Sequence, residues 1–175
     1  MKWHKAFQLT GMALILFVVD ALLKAYVHFN IPVMSHSSYL YPYEGVGVFR
    51  NWQGIECSIV HVMNKGAAWG LFASLQQSLL YTRVAIIGGL LTYLIFVKGN
   101  GFLKLCLTLI VTGAIGNVID YFVYGHVIDM FYLVFWGYSY PVVNIADSAI
   151  FSGIVLLVVQ ALIQKNKSKH VPSTN

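Results

Sequence analysis

A chain of 175 residues that is 58% hydrophobic and only 10% charged, with a mean hydropathy of +0.72, carries more apolar surface than a soluble domain of that length could bury. Its formal charge of +5 sits in a short tail, KNKSKH, and at segment ends, not in a basic stripe interleaved with aromatics, which argues against nucleic acid as a partner. The composition is that of a membrane protein: residues 7–27, 79–97, 102–121 and 143–163 each supply the roughly 20 apolar residues needed to cross about 30 Å of hydrocarbon.

The first apolar run follows Lys2 and Lys5, as a secretory leader would. It is too long for one, contains Asp20 and Lys24, and lacks a small-residue cleavage site after it, so it is expected to be kept as a span. Asp20 and Lys24 stand four residues apart, one helical turn, and can neutralise each other on a shared face. Two roles are open for them: a buried ion pair that orients the helix, or a group that binds a substrate carbonyl. In neither role is Asp20 suited to proton transfer, because a neighbouring ammonium favours its ionised form.

Residues 28–78 form a long outer segment. A loop rich in Ser, Pro and Tyr precedes the run VGVFRNWQGIECSIVHVMN, whose β-branched and aromatic residues, broken by Gly45, Gly47 and Gly54, predict short strands and turns. Tyr39, Tyr41, Tyr43, Phe49 and Trp52 would suit the lipid headgroup layer, and a loop merely lying on the bilayer is the alternative to a small sheet. A second outer segment covers residues 122–142. Four crossings put Lys2, Lys5, Lys98, Lys104, Lys165, Lys167 and Lys169 on one side, so both termini are expected in the cytoplasm. The whole chain, 1–175, reads as one domain: an all-α bundle of four transmembrane helices with a small extracytoplasmic β-sheet or loop subdomain, expected to work as a monomer.

Cys57 and Cys106 fall at different depths and are not expected to pair. No CxxC, HExxH or Walker loop is present. His4 and His170 lie near the termini, and the other four histidines show no metal-ligand spacing, so no metal and no cofactor are expected.

The chain has six acidic residues, and its four aspartates, Asp20, Asp120, Asp129 and Asp147, all lie in or beside the apolar runs. A charge at the bilayer centre costs about 2.5–3.5 kcal/mol on insertion scales, so such groups face the bundle interior and find partners. With both termini inside, all four converge on the outer membrane surface of the bundle. In GAIGNVID, Gly113 and Gly116 permit close helix approach, while Asn117 and Asp120 stand three apart on one face. VNIADSAI repeats the spacing with Asn144 and Asp147 at the start of the fourth span, where Asn144 can cap the helix. Capping would account for one such unit, not for two together with the aspartate of HVIDMF.

Taken in order, these blocks resemble lipoprotein signal peptidase, the type II signal peptidase of bacteria. The likeness covers nearly the whole chain: Asp20 with Lys24 in the first span, NKGAAWG at residues 64–70, GNVIDY, HVIDM, and NIADS. Departures from the family pattern are Tyr121, where an arginine is usual, Ala21 for glutamine, and Val143 for phenylalanine.

The resemblance implies an aspartic endopeptidase whose catalytic pair is Asp129 and Asp147, with Asp120 a rival read as a structural anchor beside Asn117. Two carboxyls in a poorly solvated site cannot both ionise easily, so one holds a proton while the other serves as base. Asn64, Asn144 and the backbone near Gly66 are implied to hold the substrate strand; Asn64 read from spacing alone is equally a turn residue. The implied substrate is a prolipoprotein already carrying diacylglyceryl on its cysteine, cut on the N-terminal side of that cysteine, at the outer face of the bacterial inner membrane and in contact with its lipid. Two other classes fit intramembrane aspartates: a proton-coupled carrier, although neither an inverted repeat nor broken helices are visible, and a noncatalytic assembly factor whose polar residues bind helices together.

Overall fold

The computed structural model describes residues 2–35, 39–65, 75–98 and 101–169. The elements run α1 (Lys2–Asn30), β1 (Val46–Trp52), β2 (Ile55–Asn64), α2 (Gln76–Phe96), α3 (Gly101–Tyr124), β3 (Val127–Phe135), β4 (Tyr138–Ser139) and α4 (Ile145–Lys169). All four helices are long and apolar enough to cross a membrane, over Ala6–Asn30, Gln76–Phe96, Gly101–Tyr124 and Ile145–Lys165. Their outward residues are large and apolar: Phe7, Leu14, Leu22, Ile95, Phe122 and Phe151 are each more than half exposed. That is the surface hydrocarbon would cover.

The fourth helix starts later than the hydropathy run predicts, at Ile145 and not at residue 143. Val143 instead bridges Phe131 of β3: the Phe131 N–H donates to the Val143 carbonyl at 2.8 Å and the Val143 N–H donates back at 3.2 Å. The stretch before α4 is thereby tied to the sheet, which sets where Asp147 enters the bundle.

The strands form one antiparallel sheet in the order β1-β2-β3-β4. The small sheet expected over residues 46–64 is present as β1 and β2, joined at Gln53-Gly54, where both residues have positive φ as a two-residue hairpin turn requires. The segment 122–142 is more ordered than its treatment as a plain outer segment suggests. It contains β3, whose β-branched and aromatic run VIDMFYLVF is bounded by Gly125 and Gly137. Gly125, at φ +76°, ends α3 in the left-handed conformation and turns the chain into that strand.

The sheet is bound to the bundle by an apolar core of Val27 and Ile31 from the end of α1 with Ile128 and Met130 from β3. Helices α3 and α4 meet through glycines. A Cβ on Gly113 would lie 2.3 Å from the Ala146 carbonyl oxygen, and one on Gly153 would lie 2.7 Å from that of Cys106, so only glycine permits this approach. Cys57 and Cys106 are both free thiols, as their depths imply.

Candidate active site

Lys24 is completely buried, and its ammonium uses its three protons on three partners. They are Asp20 at 2.6 Å, Asp120 at 2.7 Å and the Asn117 side-chain oxygen at 3.0 Å. Asp20 turns its other oxygen to the Ala146 N–H at 2.9 Å, holding the first turn of α4. Asp20 is 2% exposed with both oxygens engaged, the arrangement of a buried ion pair. Gly116 makes room here, since a Cβ would stand 3.2 Å from the Asp20 Oδ2 atom.

The expected partnership of Asp120 with Asn117 is not what forms. Asp120 binds Lys24 and accepts a long 3.5 Å contact from the Ile128 N–H. Asn117 faces α4, where its amide donates to Asp147 at 2.7 Å. The cause is the lysine: an ammonium outcompetes a neutral amide for a buried carboxylate, leaving Asn117 to bridge Lys24 and Asp147.

Asp129 projects from β3 and Asp147 from the first turn of α4, and both line one cavity of about 430 Å³. Asn144 joins them. Its amide donates to Asp129 Oδ1 at 2.8 Å, and its side-chain oxygen accepts the Asp147 N–H at 2.7 Å as an N-cap. Asp147 Oδ2 completes a capping box with a 3.4 Å contact to the Asn144 N–H. The second oxygen of Asp129 accepts from Asn64, the last residue of β2, at 2.9 Å. Asn64 and Asn144 thus both belong to the site, and Asn64 is held by strand pairing with Val127, not by a turn. Gly66 lies outside the described residues.

Asp129 is 1% exposed, and burial, reinforced by the nearby Asp147 charge, pushes its pKa up to about 7; the amides of Asn64 and Asn144 pull the other way. At neutral pH one proton is therefore readily kept at this pair. The arrangement places two carboxyls on one recess, with asparagine amides bonded to each.

Arg83 of α2 also lines the cavity, together with Tyr140 and Ser148. Sequence reading passed over Arg83, although it is the one charged residue within α2, which is itself a signal for an intramembrane function.

Outside this site, three histidines that show no metal-ligand spacing in the sequence come together. His28, His61 and His126 bring ring nitrogens within 4.8 Å of one another. They escaped notice because they come from a helix end, a strand and a turn, far apart in the chain. Burial, then His28, His61 and Lys65, hold His126 below the ordinary imidazole range.

The family model for Signal peptidase (SPase) II matches residues 12–163. Among curated proteins, the chain is 38% identical over 107 residues to a lipoprotein signal peptidase of Bacillus subtilis (strain 168), covering 61% of this chain and 70% of that protein. It is 39% identical over 111 residues to a lipoprotein signal peptidase of Chlamydia pneumoniae, covering 62% and 66%. Two solved structures described as bacterial membrane enzymes, obtained by the in meso method at 2.3 and 1.9 Å, share the fold at TM-scores of 0.74 and 0.70. Each is 24% identical to this chain; the first covers 96% of this chain and 94% of its own, the second 89% and 93%. Four apolar helices, the sheet, and a match over residues 12–163 agree: the chain is a multi-pass membrane protein that belongs to the signal peptidase II family.

Proposed function

We propose that this protein is a membrane aspartic endopeptidase that removes the signal peptide from diacylglyceryl-modified prolipoproteins, with Asp129 and Asp147 as its catalytic pair. The observation that carries the reading is the meeting of these two carboxyls, from β3 and α4, on one cavity, each bonded to an asparagine amide. The ionised member takes a proton from water as its oxygen attacks the scissile carbonyl. The protonated member stabilises the developing oxyanion, and the tetrahedral intermediate then collapses with a proton passing to the leaving amide nitrogen. The products are a free carboxylate on the signal peptide and a free amine on the lipidated cysteine. The pair titrates as a unit, so the shared proton belongs to both.

Lipidation explains the depth of the site. A diacylglyceryl anchor holds the scissile bond at the membrane surface and supplies proximity that a soluble protease must generate by binding. Both termini then lie in the cytoplasm and the cavity opens toward the outer face of a bacterial inner membrane. Asn64 and Asn144 orient the carboxyls, while Arg83 supplies a guanidinium in the cavity wall of a chain that has Tyr121 where the resembled pattern has arginine. The carrier alternative finds no support in the relatives, which are peptidases.

The test is cleavage of a lipidated precursor by the purified chain in lipid. Loss of cleavage in both Asp129→Asn and Asp147→Asn, with folding intact, supports the reading; normal turnover by either variant removes the dyad.

A further inference from the structure

His28 ends α1, His61 sits in the middle of β2, and His126 occupies the turn between α3 and β3. His61 and His126 are 3% and 7% exposed. Each of the three rings has a buried nitrogen without a hydrogen-bond partner among the described residues: Nδ1 of His28, Nε2 of His61 and Nε2 of His126. An orphaned buried imidazole nitrogen forfeits a hydrogen bond it would make in water, and three in one place make that loss threefold.

The opposite nitrogens explain how these are prepared. The Nδ1 atom of His61 lies 3.0 Å from the Ile31 carbonyl oxygen, which can only accept, so Nδ1 carries the proton and Nε2 keeps its lone pair. His126 is bonded through its ring to the backbone of Tyr124, again leaving Nε2. Backbone anchoring of one imidazole nitrogen with the other presented as a lone pair is how metal-binding histidines are oriented.

We propose that His28, His61 and His126 form a binding site for a borderline divalent cation, Zn²⁺ foremost, separate from the aspartate pair. Three neutral imidazoles suit Zn²⁺, with a fourth position for water. Zinc–nitrogen bonds of about 2.0–2.1 Å in tetrahedral geometry put ligand atoms about 3.3 Å apart. The present separations are all within 4.8 Å, so binding would draw the ligand atoms together by up to about 1.5 Å. A bound ion adds positive charge beside His126. Lys65 opposes it, but that side chain is exposed and free to turn toward solvent. A bound ion would cross-link the outer end of α1, β2 and the α3–β3 turn, three residues ahead of Asp129.

The experiment uses the full chain purified in detergent without a polyhistidine tag, stripped with chelator, then titrated calorimetrically with Zn²⁺ and optically with Co²⁺. One equivalent is expected to bind, Co²⁺ to give the visible absorption of a four-coordinate nitrogen site, and the unfolding midpoint to rise on saturation. His61→Ala and His126→Ala each weaken binding by at least about a hundredfold, whereas His4→Gln and Asp129→Asn leave it unchanged. His28→Gln, at a half-buried helix end, gives the same loss in a folded chain should the strand and turn variants fail to fold. Absence of stoichiometric binding, or binding that persists in His28→Gln, overturns the site.

Discussion

Asn144 donates a 2.8 Å hydrogen bond to Asp129 from the position that caps the helix carrying Asp147. One side chain therefore sets the orientation of one carboxyl and the backbone of the other. Asn144→Ser should keep the cap and most of the stability, because serine caps nearly as well as asparagine. It should lower cleavage by about 10–100-fold through loss of the amide at Asp129, while Asn144→Ala loses the same activity and also about 1 kcal/mol of stability. Turnover and unfolding measured side by side on the two variants separate positioning from capping.

Under the proposed assignment Asp129→Asn and Asp147→Asn should each reduce turnover by about a thousandfold or more, since each would remove one half of the acid–base pair. The change is nearly isosteric, and the unfolding midpoint in detergent should fall little. Precursor accumulation on gels, with the melting curve as control, checks this.

The pH dependence has a defined sign. Burial and the nearby Asp147 charge raise the pKa at Asp129 to about 7, so the pair keeps its shared proton up to near that value and cleavage should fall about tenfold per unit on the alkaline side. Stability moves the same way: an unfolded aspartate ionises near 3.8, so the folded chain binds the extra proton between there and about 7 and loses stability as pH rises through that window. Asp129→Asn should flatten this slope, which unfolding series at several pH values would reveal.

Lys24→Met should be severely destabilising, by about 3–5 kcal/mol, because it strands Asp20 and Asp120 as buried anions. Combining it with Asp20→Asn and Asp120→Asn should recover much of the loss. Thermal unfolding of the single and triple variants decides whether the ammonium acts through charge pairing.

Gly113→Val should disrupt the α3–α4 contact, since even its first carbon would stand 2.3 Å from the Ala146 carbonyl oxygen. A loss of about 1–3 kcal/mol is expected, together with impaired cleavage because Asp147 follows Ala146 directly. Gly101→Ala, with open space around its Cβ, is the matched control.

Spans, the Asp20–Lys24 pair and the two strands over residues 46–64 were legible because each depends on local pattern: apolar length, helical spacing, turn residues. The partner of Asp120 was not, since spacing favoured Asn117 while the winning ammonium came from another helix. The same limit hid the histidine cluster, whose members share no segment. Strand β3 carried a readable signal, a β-rich run between two glycines, yet its place beside β2 and the Val143 bridge arise only from long-range pairing. Arg83 carried a readable signal as the lone charge in an apolar helix, and sequence reading passed it over.

Placing Asp147 at the threshold of α4 has a temporal consequence. During synthesis the nascent chain exposes Asp20, then Asp120 and Asp129, and every one of these emerges before the partner that would arm the pair. Under the proposed assignment the carboxyl pair is complete only once the last crossing is in place and tied to β3.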